Sequence, residues 1–455
     1  MKFLYSDEPI IACSTCNHAN AALAVLRISG FNNLEAFKGH FTLNGPIEPR
    51  RVYYTQLRSN SEVLDDVCLT YFAGPKSYNG ENILEISTHG NTLNTERILK
   101  FFIEFAGCRL AAPGEFTYRA LKNKKLTLSQ VEGLDLFLNA NSGYALDQGL
   151  SLLSGNLQET YSELYELFLK HKSALELSID FIDDVGEETA KGYFDSSLMD
   201  FNNKFESLHR RVIPMEHNLL QPEIVLAGLP NSGKSSLFNH ILREERAIVS
   251  SIAGTTRDYL SESVVIEGVK YKLIDTAGIR EATDLIEAEG IKRTKKKMQH
   301  SFFSILLINP FEMRDEFSEL SKLQFDAVFF THKDLDGFFE ARNIVASAFP
   351  QFGPTGAIDL TSDISQVEAV LFDSINKKYL ELTRCKPILL DRHKNLILDI
   401  NTQLKQYVNT ATYETDVAII SHELNTLASC LSELLGIVSP DQILNSIFTN
   451  FCIGK

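Results

Sequence analysis

The sequence predicts a multidomain α/β protein with a mixed α/β N-terminal region, an α-helical region made from two separate stretches, and an α/β domain with a phosphate-binding loop inserted between those stretches. Three observations carry this. A complete G-x-x-x-x-G-K-[ST] motif, Gly228-Leu-Pro-Asn-Ser-Gly233-Lys234-Ser235, sits between a strand-like and a helix-like run. Apolar stripes at helical spacing flank that domain on both sides. Short β-rich runs separated by turn dipeptides fill the N-terminal stretch.

Residues 1–118 read as mixed α/β: Ala22–Ile28, Val67–Phe72 and Ile83–Ser87 are strand-like, Gly74-Pro75 and Asn79-Gly80 mark turns, and Leu93–Phe105 has a helical pattern. Residues 119–215 read as helical. Leu146, Leu150, Leu153, Leu157, Tyr161, Leu164 and Phe168 recur every three or four positions, which predicts one apolar stripe on one long helix. In residues 216–375, the runs Glu223–Ala227, Tyr271–Ile274, Ser304–Ile308 and Ala327–Phe330 alternate with polar or glycine-containing turns, which predicts a parallel sheet with helical crossovers. Residues 376–455 return to helix, with one stripe at Leu396, Ile400, Leu404 and Tyr407 and another at Val417, Ile420, Leu424, Leu427, Leu431 and Leu434. Helices on both sides of the nucleotide domain suggest an insertion, which is tolerated where chain ends meet at a surface.

The chain has 455 residues, 44% hydrophobic and 23% charged, an ordinary globular composition with enough apolar residues for several cores. Its formal net charge is −15, so any polyanion must be held by local patches. Lys122–Lys125, Lys292–Lys297 and His209–Arg211 are the candidates, set against the plainer reading of solvated helix faces. The seven cysteines form no disulfide framework, and Cys13 with Cys16 is a lone CxxC lacking the second pair that zinc needs. Asp7 and Glu8 precede any apolar run, so the start is no signal peptide, and no apolar stretch reaches membrane-span length. A cytoplasmic protein with no membrane span is expected.

The phosphate loop implies nucleoside triphosphate binding and hydrolysis. Its glycines turn backbone N–H groups toward phosphates, and the following helix N-terminus adds positive potential. Ser232, Gly233, Lys234, Ser235 and Ser236 are the expected phosphate-binding positions, with Lys234 reaching the β- and γ-phosphates and the Ser235 hydroxyl on Mg²⁺. Asp275-Thr276-Ala277-Gly278 follows a strand: its carboxylate can hold the Mg²⁺ shell and the Gly278 N–H can meet the γ-phosphate. Within Gly254-Thr255-Thr256-Arg257-Asp258, Thr256 can complete the Mg²⁺ shell. Together these mark a Ras-like GTPase switch domain that takes GTP. The position after the DxxG is Ile279, which cannot orient water, and Glu281, Glu287 and Glu289 lie nearby. After Ala327–Phe330, Thr331-His332-Lys333-Asp334 keeps only the Asp of the guanine-reading Asn-Lys-x-Asp pattern, and Ile358-Asp359-Leu360 takes the place of the last base loop.

Nearly the whole chain resembles the MnmE (TrmE) tRNA-modification GTPases. The resemblance rests on Arg27-Ile-Ser-Gly30, Ser77–Asn82, Leu84-Glu85-Ile86 with His89-Gly90, Pro113-Gly-Glu-Phe-Thr117 with Arg119-Ala120, Ile179-Asp-Phe181, the three nucleotide motifs, and the terminal Phe451-Cys-Ile-Gly-Lys455. It implies a folate-binding N-terminal domain that dimerises, a helical domain in two segments, and an inserted G domain. It further implies a homodimer that joins an FAD-dependent partner as a heterotetramer and modifies carbon 5 of the wobble uridine in certain tRNAs. A 5,10-methylene- or 5-formyl-tetrahydrofolate supplies the carbon. By motif match, Arg27, Glu85, Lys125 and Lys455 bind folate. Asn231, Ser250, Ile252 (backbone) and Thr255 hold an activating K⁺, and Glu287 positions the hydrolytic water. Asn79 and Asn82 depart from the family's Thr and Asp, His89-Gly90-Asn91 from His-Gly-Gly, and Cys13–Ala21 lacks a Gly/Pro-rich turn. The alternatives are a GTPase switch or assembly factor without modification chemistry, and a folate-binding scaffold without hydrolysis.

Overall fold

The computed structural model describes residues 8–15, 19–59, 62–180, 186–212, 219–243, 260–275, 298, 301–312, 317–350, 356–357, 364–384, 386–410, 417–436 and 454. Two compact units emerge. One comprises Met1–Asp135, Ser151–Tyr161 and Ser432–Lys455, the other Leu136–Leu150 and Ser162–Leu431.

The first unit is built on a six-stranded sheet. Its strands are β1 (Ile10–Cys13), β2 (Leu23–Ser29), β3 (Val52–Ser59), β4 (Glu62–Phe72), β5 (Ile83–His89) and β6 (Arg109–Leu110), in the order β3-β4-β5-β2-β1-β6. Every pairing is antiparallel except β1 with β6. β1 lies next to the far edge and is buried along its length, so its unbroken IIAC run needs no alternation. Helix α2 (Thr92–Phe105) presents Ile98, Leu99, Phe101 and Phe102 to the core that also contains Ile11, Leu26, Ile28, Leu84 and Ile86. Asn91 caps it, accepting from the Asn94 amide at 3.2 Å, so this departure from His-Gly-Gly has a structural use.

The expected boundary at 118 falls inside helix α3 (Glu115–Lys122). This helix and α4 (Leu128–Leu138), as far as Asp135, group with the N-terminal sheet rather than with the helical region. Nor do the leucines of 146–168 form one stripe. α5 (Gly143–Leu153) ends at Gly155, whose φ of +88° is left-handed, and α6 (Asn156–Asp180) starts afresh. Leu146 and Leu150 are consequently 42% and 52% exposed, while Leu157, Tyr161, Leu164 and Phe168 are buried.

The second unit holds a second six-stranded sheet: β7 (Glu223–Ala227), β8 (Leu260–Ile266), β9 (Val269–Asp275), β10 (Phe303–Ile308), β11 (Ala327–Phe330) and β12 (Gly356–Ala357), in the order β12-β11-β10-β7-β9-β8. It is parallel throughout apart from the edge strand β8, which joins β9 through a two-residue turn at Glu267-Gly268 with φ of +49° and +78°. β10 is buried at every residue, as a central strand covered on both faces must be. The four strands read from the apolar runs are all present, and β8 and β12 are additions.

Helices α7 (Glu187–His209) and α12 (Asp391–Thr410) flank this sheet domain in sequence. At their junction the Ile388 amide donates to the Arg211 carbonyl at 2.8 Å, and Arg211 Nε donates to the Lys386 carbonyl at 2.9 Å. The chain thus leaves and re-enters the helices at one place, the geometry an insertion requires. In α12, Leu396, Ile400, Leu404 and Tyr407 are buried; in α13 (Val417–Leu434), so are Ile420, Leu424, Leu427, Leu431 and Leu434. Among the described residues no helix is long and apolar enough to cross a membrane.

Candidate functional site

The phosphate loop joins the end of β7 to helix α8 (Lys234–Arg243). Gly228 has φ +148°, and a Cβ there would lie 2.4 Å from both the Leu307 carbonyl oxygen and Ser232 Oγ, so only glycine fits. Asn231 and Gly233 also adopt positive φ, +60° and +88°, which curls the loop ahead of the helix. Lys234 Nζ donates back to the carbonyls of Gly228 at 2.8 Å and Leu229 at 2.6 Å. Burial pushes its ammonium pKa down to about 8 against the opposing pull of Asp275. A desolvated ammonium held by carbonyls at the loop mouth is ready to exchange them for phosphate oxygens.

β7 and β9 are neighbours, with Leu226 opposite Asp275, so the buried Asp275 carboxylate arrives beside the loop. Ser235 Oγ donates to Asp275 Oδ2 at 3.0 Å. A hydroxyl and a carboxylate side by side are the hard oxygen donors that Mg²⁺ takes, so these residues fit that ion. Asn231 Nδ2 donates to Glu312 Oε1 at 3.4 Å, which leaves its side-chain carbonyl oxygen to serve as a cation ligand. Ser250, Ile252, Thr255, Thr256, Thr276, Ala277, Gly278 and Glu287 lie outside the described residues, as do Ile358, Asp359 and Leu360.

The base loop follows β11. Thr331 is fully buried; its amide and hydroxyl both donate to the Ile308 carbonyl, at 2.8 and 3.2 Å. His332, at φ +62°, places Nδ1 2.9 Å from that hydroxyl. Thr331 therefore works as an internal latch between β10 and β11. Asp334 is exposed.

In the N-terminal unit, β2 pairs with β5 so that Arg27 stands opposite Glu85. The guanidinium donates from Nε at 2.9 Å and from a terminal nitrogen at 2.6 Å to the same carboxylate oxygen. The rings of Tyr78 and Phe116 lie 5.9 and 5.8 Å from its carbon. The Gly454 carbonyl accepts from Ser14 Oγ at 3.0 Å and from Arg27 at 3.5 Å. Gly454 has φ +91°, and a Cβ on it would lie 2.6 Å from the Cys13 carbonyl oxygen, so the penultimate position admits only glycine. Lys455 and Cys452 lie outside the described residues. Lys125 is exposed, and its stem packs beside Gly80, two residues from Tyr78. Cations, aromatic faces and a carboxylate gathered in one place fit a folate, which carries an aromatic head and an anionic glutamate tail.

Ser77–Asn82, Pro113–Thr117 and Arg119 carry no role that the sequence alone assigns. Glu115 accepts from Arg109 at 2.6 and 2.8 Å, from the Ala112 amide at 3.0 Å and from Arg119 at 3.0 Å. Burial opposes its ionisation, but those hydrogen bonds and the two guanidinium charges outweigh burial and hold its carboxyl below the usual range. Arg119 also donates to Glu81, which accepts from Ser29 Oγ at 2.7 Å. Asn79 donates to Ser29 Oγ at 2.8 Å; Asn82 accepts from the Tyr71 hydroxyl and donates to the Phe31 carbonyl. The two asparagines are anchors of the loop that carries Tyr78. An ion network that spans residues 8 to 119 has no local signature, which is why it was not legible beforehand.

A family model described as the GTP-binding protein TrmE N-terminus matches residues 9–125, and one described as a 50S ribosome-binding GTPase matches residues 223–332. The chain is 32% identical to the tRNA modification GTPase MnmE of Aquifex aeolicus, over 98% of this chain and all of that protein. The proteins of the same name from Pasteurella multocida and from Wolbachia pipientis are each also 32% identical, covering 98% and 99% of this chain. With likeness extending from end to end, the chain belongs to the MnmE family of tRNA modification GTPases.

Proposed function

We propose that this GTPase is potassium-activated and works with an FAD-containing partner to modify carbon 5 of the wobble uridine of certain tRNAs in the cytoplasm. It acts as a homodimer that joins the partner in a heterotetramer. A 5,10-methylene- or 5-formyl-tetrahydrofolate supplies the one-carbon unit when bound.

In this reading Ser232, Gly233, Lys234, Ser235 and Ser236 hold the phosphates, together with Thr276, Ala277 and Gly278. Ser235 and Thr256 ligate Mg²⁺ within the shell that Asp275 supports. Asn231, Ser250, Ile252 and Thr255 surround K⁺, whose charge takes the part an arginine finger plays in other GTPases. Glu287 orients the water and Asp334 reads guanine. Arg27, Glu85, Lys125 and Lys455 hold the folate.

The observation that carries the reading is the Gly454 carbonyl lying 3.0 Å from Ser14 Oγ and 3.5 Å from Arg27. It brings Gly454 to the Arg27–Glu85 pair, and a GTPase acting only as a switch or assembly factor has no use for such a site. The test is GTP and ATP hydrolysis in KCl and in NaCl, alongside equilibrium dialysis of a tetrahydrofolate. Faster GTP turnover in KCl together with folate retention is expected. Hydrolysis without folate retention would favour the switch or assembly factor, and folate retention without hydrolysis the scaffold.

A further inference from the structure

A chain with formal net charge −15 that acts on tRNA must meet phosphates through a local cationic surface. The segment Lys122–Lys125 supplies one, at the end of α3. It is a turn that closes α3: the amides of Asn123, Lys124 and Lys125 donate to the carbonyls of Arg119, Leu121 and Ala120 at 2.9, 3.0 and 2.8 Å. Lys124 sits in the left-handed region at φ +55°. Lys122, Lys124 and Lys125 are all exposed.

The turn is fastened to the loop that carries Tyr78. Asn123 Nδ2 donates to the Asn79 carbonyl at 2.7 Å, and a Cβ on Gly80 would lie 3.4 Å from Lys125 Cε. The loop adds the exposed Lys76 and the Tyr78 ring, which is 38% exposed. Glu81, the acid on this loop, is engaged by Arg119 at 3.1 Å and by Ser29 at 2.7 Å, so its charge is already matched by a guanidinium. Lysines on a rigid turn beside an exposed aromatic ring match the chemistry of a single-stranded RNA loop. The lysines meet the phosphates, and the ring stacks an unpaired base.

We infer that the surface formed by Lys76, Tyr78, Lys122 and Lys124 is where the phosphate backbone of a tRNA loop docks on the N-terminal unit. This rests on the tRNA-modifying reading above, and it places the docked loop next to the Arg27–Glu85 pair through their shared neighbour Tyr78.

The experiment uses the full chain, an unmodified tRNA transcript as probe, and the double variant Lys122→Gln/Lys124→Gln, with affinity measured across a salt series. The dissociation constant at low salt should rise about tenfold, and the slope of log affinity against log salt should become shallower by about one to two. GTP turnover without tRNA and retention of a tetrahydrofolate should stay at wild-type levels. An unchanged slope and affinity would overturn the docking surface while leaving the tRNA reading intact. A wild-type chain that binds no tRNA would instead remove the parent reading, and the docking surface with it. Loss of folate retention with tRNA affinity preserved would assign these lysines to the anionic folate tail and overturn the inference.

Discussion

The imidazole of His171 on α6 is bonded on both sides: Nδ1 lies 2.8 Å from Ser197 Oγ on α7, and Nε2 lies 2.5 Å from the Tyr407 hydroxyl on α12. Ser197 gives its own proton to the Phe194 carbonyl at 2.9 Å, so it can only accept from Nδ1–H. Nε2 is then the acceptor for the Tyr407 hydroxyl. The neutral ring satisfies all three helices, and burial opposes a second proton on it.

Acid sensitivity follows from that arrangement. Burial pushes the His171 pKa down to about 4, with a hydrogen bond at the Phe194 backbone opposing. The unfolded chain takes up this proton near pH 6.5. Between those values the unfolded state binds more protons than the folded one, so stability falls as pH drops through the window and the loss is complete below about 4. The loss amounts to up to about 3 kcal/mol. Urea midpoints measured from pH 7.5 to 4.5 should show this slope, and His171→Gln should flatten it while lowering stability at neutral pH.

Lys234→Ala should cost at least about a hundredfold in GTP affinity, because it removes a charge-assisted contact from a desolvated site. Fluorescent GTP-analogue titration measures this. Retained affinity would mean that the carbonyls of Gly228 and Leu229, rather than phosphate, are the natural partners of this ammonium.

Glu287→Ala should leave GTP binding near normal and lower turnover about a hundredfold or more, the scale on which water positioning contributes. Single-turnover hydrolysis checks it. Unchanged turnover would pass the role to another group, Glu281 and Glu289 being the next to substitute.

Gly454→Ala forces a side chain into a left-handed backbone position and against the Cys13 carbonyl. Tetrahydrofolate affinity should fall about tenfold or more while GTP hydrolysis is spared, since the change is confined to the N-terminal unit. Removing Lys455 should have the same selective effect. Loss of both activities together would mean that the tail stabilises the whole protein rather than serving one site.

The nucleotide domain was legible because its information is local. The glycines at 228 and 233, the lysine and the serine are contiguous, and the strand and helix around them read from apolar runs a few residues long. The base loop was legible only in part. Thr331 looks like a lost guanine contact, yet its hydroxyl holds β11 to the Ile308 carbonyl, a partner twenty-three positions away. The leucine stripe of 146–168 failed because the left-handed Gly155 resets the helical phase, and periodicity alone ignores one residue of unusual φ.

The amino-acid sequence by itself determined the class of each segment, the phosphate loop with its lysine and serine, and, through resemblance, the family. Only the tertiary structure decided that Arg27 faces Glu85 across two strands, that Gly454 returns to Ser14 over 440 positions, and that Glu115 and Arg119 are buried together beneath the Tyr78 loop. Motifs are legible when their atoms meet through neighbouring residues, whose geometry the backbone dihedrals already constrain. Pairings across a sheet or between chain ends depend on which surfaces must be buried together, and that is settled by the packing of the whole unit.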